Sequence, residues 1–459
     1  MAGIGFILRK LAGRDDLTGI VAGYLFSAII SSGPWLFTIF SLGALVPIVS
    51  QFISSEDLAG FRLIIIYNFS FSLVLTGPLF MVATRFLADR IFLKESDKAI
   101  GLLLGGLLTV FIICTPFAWW LYFSFSEMSL DIRFAAFVNF MVISAIWFVS
   151  IFLSALKAYV SISGAFAGGL LLSFVAALAL APQFSLAGLF WGFSLGLAAI
   201  LFFLVARIFS EFPHDIKKPF EFFGYFKKYW DLALNGLIFN LAAWVDKWVM
   251  WSAPEAEQGS FGLISYPNYD SAMFVAYLSI IPSMAFFVFN VETRFFEKYL
   301  LYYRDIQKHA TFDRIQQNHN SLLKAILDGA RNLTVLQGII TFTIIMVAPS
   351  ILELLGVNLL QLGIFRFGAL GVFFQVMILY LLIFLTYFDA RRYVLSINIF
   401  FLISNFLFSW YFLNKGFPYY GQGYAMAAAL TFGVTVVVSF SYFKRLPYMT
   451  FIAHNASVS

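Results

Sequence analysis

The sequence is poor in cysteine and in charged residues. Its one cysteine, Cys114, lies inside an apolar run, so the chain has neither a disulfide framework nor a cysteine-based metal site. Charged residues make up 12% of the chain and hydrophobic residues 61%, and the mean hydropathy is +0.89. Apolar runs of about 18 residues or more recur from end to end, which a soluble domain does not show. The composition therefore predicts a polytopic membrane protein.

Motifs for catalysis and for nucleotide hydrolysis are lacking as well. There is no GxxxxGK[ST] phosphate loop, and the 4 histidines lie in polar segments without an HExxH motif. No segment outside the apolar runs is long enough for a glycosyltransferase domain, so we find no soluble domain with paired carboxylates that could activate a sugar acceptor. We therefore expect no enzyme, no metal site and no cofactor.

Twelve apolar runs are long enough to span a bilayer, which takes about 20 helical residues. The predicted spans are 18–50, 60–87, 98–123, 134–156, 161–181, 185–210, 229–252, 270–293, 322–350, 364–388, 393–413 and 420–443. Pro182 and Pro418 each open a span rich in small residues, which suggests a repeated half. The expected fold class is an all-α polytopic membrane protein with about twelve transmembrane helices in two six-helix lobes.

The lobes are expected at 18–210 and 229–445, joined by a cytoplasmic linker at 211–228. Residues 1–17 read as a short interfacial helix, with a signal peptide as the alternative, and residues 446–459 as a cytoplasmic tail. If both termini are cytoplasmic, only five of the 29 lysines and arginines lie on the outer side: Arg62, Arg133, Lys247, Arg366 and Lys415. The positive-inside rule supports this orientation. Because the net charge of +5 comes from loops and span ends, we expect no nucleic-acid partner.

Two spans contain residues that interrupt helices. Gly33 and Pro34 lie in the middle of the first span, and Pro282 lies within the apolar run of the eighth. Proline removes a backbone donor and clashes with the preceding turn, which a membrane helix tolerates beside protein or a water-filled cavity. We expect breaks at these positions, where segments could move beside a pathway.

Glycines four residues apart predict close packing between helices of the chain. They occur at Gly101 and Gly105, at Gly164 and Gly168, and at Gly188, Gly192 and Gly196.

Charges inside the spans are the candidates for a transport pathway, because an unpaired charge in a bilayer costs several kcal/mol and tends to face a cavity or a partner. They are Arg85, Asp246, Lys247, Asp328 and Arg331. Arg85 could equally form an ordinary pair with Asp89, one turn further on. Lys247 could extend to the interface, whereas the adjacent Asp246 projects about 100° away. We expect one of these two to face a cavity.

A long predicted inner loop, 294–324, is rich in basic residues. Arg294, Lys298, Arg304 and Lys308 are candidates for docking a cytosolic partner. The alternative is that they only set the membrane topology and are solvated in the cytosol.

Three segments together resemble the Pel exopolysaccharide transporter family (PelG). They are GIGFILRKL at the start, ISSGPW in the first span, and YDSAMFVAYLSIIPSMAFFVFNVETRFFEKY in and after the eighth. The resemblance extends in length and span order over essentially the whole chain. It implies a bacterial inner-membrane protein of the multidrug/oligosaccharidyl-lipid/polysaccharide exporter (MOP) superfamily, with a MATE- or flippase-like fold around a central cavity. It offers no catalytic motif to carry over.

The resemblance also implies partners and a function. The partners would be membrane lipid, a cytosolic glycosyltransferase that uses a UDP-linked amino sugar, and further Pel inner-membrane subunits including a cyclic di-GMP sensor. The expected function is to move a growing GalNAc-rich polysaccharide to the periplasm for the biofilm matrix. A flippase for a lipid-linked oligosaccharide would share this fold, and an ion-coupled small-molecule exporter would need a deep carboxylate such as Asp246. A structural anchor for the synthase would need none of the intramembrane charges.

Overall fold

The computed structural model describes residues 17–124, 128–156, 159–259, 261–356 and 358–453. Within these ranges the regular structure is helical except for one small antiparallel hairpin, in which β1 (Glu257–Gln258) pairs with β2 (Ile264–Ser265). The predicted interfacial helix, 1–17, lies outside the described residues apart from its last position, and the predicted tail is described as far as residue 453.

The first half of the chain supplies six helices. They are α1 (Leu17–Val49), α2 (Ser55–Phe92), α3 (Ala99–Trp119), α4 (Leu130–Leu156), and a continuous run Tyr159–Glu211 that bends into α5 (159–184) and α6 (186–211). The bend lies at Ser185, whose φ of 50° and ψ of −131° are not helical. A short 3₁₀ turn (Ser96–Lys98) precedes α3, and a π-helical turn (Trp120–Ser124) follows it.

The second half begins with a short helix in the predicted linker. Its helices are α7 (Phe223–Lys228), α8 (Trp230–Met250), α9 (Pro267–Leu278), α10 (Ile281–Asn290), α11 (Phe296–Gln307), α12 (Phe312–Met346), α13 (Ala348–Leu354), α14 (Leu362–Tyr387), α15 (Arg391–Leu413), α16 (Gln422–Lys444) and α17 (Leu446–Tyr448). A π-helical turn (Val291–Phe295) connects α10 to α11.

The twelve predicted spans each coincide with helix. Nine helical runs of the described chain are long and apolar enough to cross a membrane, and the bent run among them supplies the fifth and sixth spans. The first and seventh spans are α1 and α8. The all-α, twelve-helix prediction is therefore confirmed.

The helices group into two compact units. One comprises Gly33–Pro267, and the other comprises Met1–Ser32 with Asn268–Ser459. The boundary follows α8 because this helix packs along α2 in the first unit. The two six-helix lobes at 18–210 and 229–445 stay a prediction.

The glycine pattern of α6 packs helix against helix, as expected. A Cβ atom on Gly192 would lie 2.5 Å from the Cα of Ala177 in α5, and one on Gly196 would lie 2.6 Å from the Cα of Ser173. The bend at Ser185 brings α5 and α6 back along each other. Because Gly192 and Gly196 have no side chains, the two helix backbones can come this close.

Gly101 and Gly105 of α3 pack against a segment that is not the predicted helix. A Cβ atom on either would overlap the backbone of the linker, at Lys217 and Pro219 respectively, and not a helix. For Gly164 and Gly168, no described atom lies within 4 Å of such a Cβ. The four-residue spacing therefore identifies close approach correctly but not what approaches.

Ion pairs fix the same linker segment to the ends of α2 and α3. Glu221 pairs with Arg90 at 3.0 Å and with Lys98 at 3.1 Å, and Glu95 pairs with the same two cations at 2.6 and 2.9 Å. The ammonium of Lys98 and then the guanidinium of Arg90 lower the pKa of Glu95 by hydrogen bonding. The linker is thus a structured strap and not a loose connection.

Candidate functional site

Asp246 and Lys247 form an ion pair with each other near the end of α8. Both carboxylate oxygens of Asp246 lie 3.0 Å from Nζ of Lys247, which also donates to the carbonyl of Ala243 at 3.1 Å. The Asp246 side chain is fully buried, and that of Lys247 is 10% exposed. Adjacent helical side chains leave the backbone about 100° apart, but the long lysine stem bends back over the carboxylate. The ammonium of Lys247 is therefore turned back onto the carboxylate of Asp246, and the two candidate charges compensate each other.

The helix that carries this pair crosses α2 at very short range. A Cβ atom on Gly236 would overlap the carbonyl of Gly77, and one on Gly77 would lie 2.6 Å from the carbonyl oxygen of Gly236. Beside the crossing, the amide of Asn240 donates to the carbonyl of Leu73 at 2.9 Å. Pro78 lacks the N–H that would bond to the preceding turn of α2. The backbone hydrogen bonding of α2 is thus weakened where α8 holds it.

Aromatic rings fill the rest of the contact between α2 and α8. Tyr67 stacks on Trp251 with 4.8 Å between centroids and 7° between planes, and Phe71 stacks on Trp248 with 4.9 Å and 10°. The hydroxyl of Tyr67 donates to the carbonyl of Ile264 at 2.7 Å, which ties the β-hairpin to α2. These four rings are therefore paired face to face with one another.

Arg85, near the end of α2, has an ordinary partner. Its Nε lies 3.2 Å from Oδ1 of Asp89, and the two side chains are 37% and 28% exposed. The guanidinium carbon also lies 5.2 Å from the ring centroid of Tyr229. The pairing is the structural alternative considered above, and a role in transport stays a prediction.

A buried chain of uncharged polar side chains runs through the same unit. Asn68 of α2 donates to Oδ1 of Asn139 in α4 at 2.9 Å and accepts from the hydroxyl of Tyr122. Asn139 donates to Oγ of Ser194 in α6 at 3.0 Å, and all four residues are buried. Sequence reasoning searched for charges and missed this group. Its signal was the pair of asparagines inside apolar spans.

The other unit holds the remaining charge candidates in α12. One guanidinium nitrogen of Arg331 lies 3.5 Å from Oδ1 of Asp328, with side chains 72% and 42% exposed. The pair is therefore at the surface of the protein chain, unlike Asp246 and Lys247. Its place beside a pathway stays a prediction.

Uncharged polar contacts also link the helices of this second unit. The carbonyl oxygen of the Gln375 side chain accepts from the hydroxyls of Tyr277, at 3.0 Å, and Tyr424. That of Gln337 accepts from the hydroxyl of Ser283 at 2.5 Å. These contacts connect α9 and α10 to α12, α14 and α16. Like the asparagines of the first unit, they were not among the predicted site residues.

The predicted helix-break residues lie in two different settings. Helix α9 ends at Leu278 and α10 begins at Ile281, so Pro282 occupies the first turn of α10, where its missing N–H is not needed. Gly33 and Pro34 lie inside α1, which continues through both positions. An interior proline bends a helix without ending it when neighbouring groups supply the lost bonds. Movement at any of the three stays a prediction.

The docking candidates lie along the π-helical turn and α11. Arg294, Arg304 and Lys308 are exposed, and Lys298 is half-buried. The hairpin that presents them is held by a buried carboxylate. Asp305 accepts from Nε of Arg314 at 2.6 Å and from the amide of Asn318 at 2.9 Å, both in α12. The two helices of this hairpin are thus joined by hydrogen bonds to Asp305, and docking of a partner on it stays a prediction.

One family model matches the sequence, that of PelG, described as a putative exopolysaccharide exporter (EPS-E), over residues 1–451. No curated protein sequence matches the chain.

Similar solved structures are transporters. An outward-facing multidrug resistance MATE family transporter of the MOP superfamily has a TM-score of 0.65 at 15% identity, covering 96% of this chain and 99% of that one. A MOP superfamily transporter from Pyrococcus furiosus Vc1 (DSM3638) has a TM-score of 0.60 at 15% identity, covering 96% and 98%. An inward-facing MATE family transporter has 0.55 at 16%, covering 91% and 99%. At these identities the likeness shows the fold, which is that of the MATE transporters.

Proposed function

Because the chain belongs to the PelG family of putative exopolysaccharide exporters, we propose that it moves GalNAc-rich Pel polysaccharide from a cytosolic synthase to the periplasm for the biofilm matrix. The family match over residues 1–451, on a MATE-like transporter fold, is the observation that carries this proposal. The chain would lie in the bacterial inner membrane with both termini in the cytoplasm, as its charge distribution favours.

The chemistry inside both units supports a substrate that is recognised by many weak contacts. Amides and hydroxyls dominate the buried polar groups described above, as at Asn68 and Gln375, and the buried charges Asp246 and Lys247 compensate each other. Sugar hydroxyls pair with amides and hydroxyls, and sugar rings can lie on aromatic faces. Weak repeated contacts let a polymer slide, whereas tight binding would stall it.

In the conducting state, two six-helix lobes would rock about bent helices. The residues proposed to line the hydrated route are Arg85, Asp246, Lys247, Asp328 and Arg331, and those proposed to bend the helices are Gly33, Pro34 and Pro282. Separation of α2 from α8 would free the ring faces of Tyr67 and Phe71 and give the buried ion pair access to water. The two charges could then exchange each other for water or for hydroxyls of the polymer.

The glycosyltransferase is proposed to dock on the α11–α12 hairpin. Charge reversal at Lys298, Arg304 and Lys308 should reduce its co-purification, because those cations are presented on a hairpin that Asp305 keeps rigid. The matched control is charge reversal at Arg392, an exposed cation at the start of α15. Recovery of the enzyme that is unchanged by the triple reversal would count against docking at this hairpin. The same pull-down would report the other Pel subunits, including the cyclic di-GMP sensor.

The test of transport uses inverted membrane vesicles that carry the chain with its synthase and membrane partners. They are supplied with labelled UDP-GalNAc, and a glycosidase is added outside. The proposal predicts labelled polymer that stays protected until detergent is added, and no protection in vesicles without this chain. Full digestion without detergent would refute direct export and would favour the flippase for a lipid-linked oligosaccharide.

A further inference from the structure

An apolar cavity of about 390 Å³ lies between α2, α3, α7 and α8 of the first unit. Its lining includes Pro78, Ile113, Phe226 and Leu237, and its one polar side chain is Thr109. The hydroxyl of Thr109 already donates to the carbonyl of Gly105 at 2.7 Å, so it offers no donor to a ligand. Ligand sites in proteins have volumes from about 300 Å³ upwards. The cavity therefore suits an apolar group with no hydrogen-bonding needs.

The lining of the cavity extends from α7 along α8. Phe223 and Phe226 of α7 contribute to it, and Leu237 lies seven residues into α8, about 10 Å along that helix. Phe223, the first residue of α7, and Trp230, the first residue of α8, are 47% and 54% exposed, as side chains of an interfacial aromatic belt are. An elongated apolar group could enter beside α7 and lie along α8.

The short helix above the cavity is held in place from both sides. On its N-terminal side, Phe222 is fully buried, and the neighbouring Glu221 pairs with Arg90 and Lys98. On its C-terminal side, the ring of Tyr229 lies under the guanidinium of Arg85. The entrance is thus a fixed feature of the unit.

Two exposed cations follow directly after Phe226, one of the lining residues of the cavity. Lys227 and Lys228 end α7, directly after Phe226, and both side chains are exposed. Neither forms an ion pair with a described residue, whereas Arg85 and Arg90 are paired with carboxylates. Nζ of Lys228 lies 5.1 Å from the ring centroid of Tyr229. An anion next to the apolar cavity would complete the charge balance of this site.

We propose that the cavity binds an acyl chain of one anionic phospholipid, whose headgroup phosphate is held by Lys227 and Lys228. An apolar tail and a negative headgroup on one molecule match the cavity and the two cations together. A soluble anion would leave the cavity unfilled, and a zwitterionic lipid would bring its own cation to the lysines. The lipid proposal does not depend on which substrate is exported, because it rests on the closed contact of α2 and α8 that the structure shows.

The test measures lipid binding to the purified full-length chain by native mass spectrometry. Dioleoylphosphatidylglycerol and dioleoylphosphatidylcholine, which share their acyl chains, are added separately. One phosphatidylglycerol is expected to bind more tightly than phosphatidylcholine. The substitutions Lys227→Gln and Lys228→Gln should weaken the binding of phosphatidylglycerol roughly fivefold per lysine. The double variant should bind the two lipids equally well. Arginine at both positions should preserve the preference for phosphatidylglycerol.

Matched variants separate this site from general membrane contact. Ile113→Trp fills the cavity and should weaken the binding of both lipids. Ile112→Trp changes the adjacent, exposed residue and should leave their binding unchanged. Lys444→Gln with Arg445→Gln removes an exposed basic pair at the end of α16 and should leave binding unchanged.

Three results would overturn the proposal. The first is phosphatidylglycerol binding that is unaffected by the double glutamine variant or equally reduced by the α16 control. The second is loss of phosphatidylglycerol binding when inorganic phosphate alone is added, which would mean that the site binds only an anion. The third is displacement of phosphatidylglycerol by a polyprenyl phosphate at lower concentration, which would mean a site for a carrier lipid.

Discussion

Removing the charge from one member of the Asp246–Lys247 pair is expected to destabilise the first unit. Removing both charges together is expected to leave its stability close to that of the wild type. Asp246→Asn leaves the Lys247 ammonium buried with the Ala243 carbonyl and a neutral amide as partners. Lys247→Met leaves a fully buried carboxylate without the cation that contacts both of its oxygens. Breaking a buried pair from one side costs about 3–5 kcal/mol. The double variant replaces both charges by groups of similar shape and should come close to the wild type.

The assay has two readouts. Stability is measured as the yield of monodisperse protein after detergent extraction and as its thermal unfolding temperature. Both single variants should fall well below the wild type, and the double variant should recover. Single variants as stable as the wild type would refute the reasoning, because they would mean that the two charges do not depend on each other.

Export by the double variant then separates structure from transport. Polymer protected in vesicles at the wild-type level would mean that the pair only holds α8 in shape. Loss of export with normal assembly would place the charges on the pathway. It would also raise the ion-coupled alternative, since a carboxylate that moves ions cannot be replaced by an amide.

Three further changes test other contacts of the structure. Gly236→Ala should separate α2 from α8 and cost about 1–3 kcal/mol of unfolding free energy, whereas Gly433→Ala, which meets no described atom within 4 Å, should be neutral. Asp305→Asn should loosen the α11–α12 hairpin and speed its limited proteolysis, and the exposed Asp313→Asn in the same hairpin should not. Gln375→Leu removes an acceptor shared by two tyrosines and should cost roughly 1 kcal/mol by thermal unfolding, since hydrogen bonds between membrane helices average about 0.6 kcal/mol. An unchanged unfolding temperature in the last variant would mean that those hydroxyls find other acceptors.

The positions of the membrane helices could be predicted because their signal is local. An apolar run of sufficient length leaves a helix as the simplest way to satisfy its backbone in lipid, whatever surrounds it. The bend at Ser185 could be predicted for the same reason, because one predicted span ends at 181 and the next begins at 185. The assignment of α8 to a unit was not, because it depends on the Gly77 and Gly236 contact between residues far apart in sequence.

The partner of a residue is harder to predict than its burial. Charges at membrane depth were expected to have a partner or a cavity, and Asp246 has a partner. The 100° between adjacent helical side chains did not point to Lys247 as that partner, because it takes no account of the length of the lysine stem. Gly101 and Gly105 were likewise expected to meet a helix, and they meet the linker backbone. Spacing along one element reports that something comes close. Only the fold decides what it is.

The search for function by charge also overlooked the groups best suited to carbohydrate. Asparagine, glutamine and tyrosine at membrane depth cost less than a charge and are common between packed helices, so each one alone carries little information. In the structure they occur as connected sets, Asn68 with Asn139 in one unit and Gln375 with its two tyrosines in the other. Such sets both hold helices together and offer hydroxyl-binding groups once the helices part. Because both roles use the same hydrogen bonds, parting these helices around the proposed polysaccharide would exchange bonds within the protein for bonds to sugar hydroxyls at little net cost.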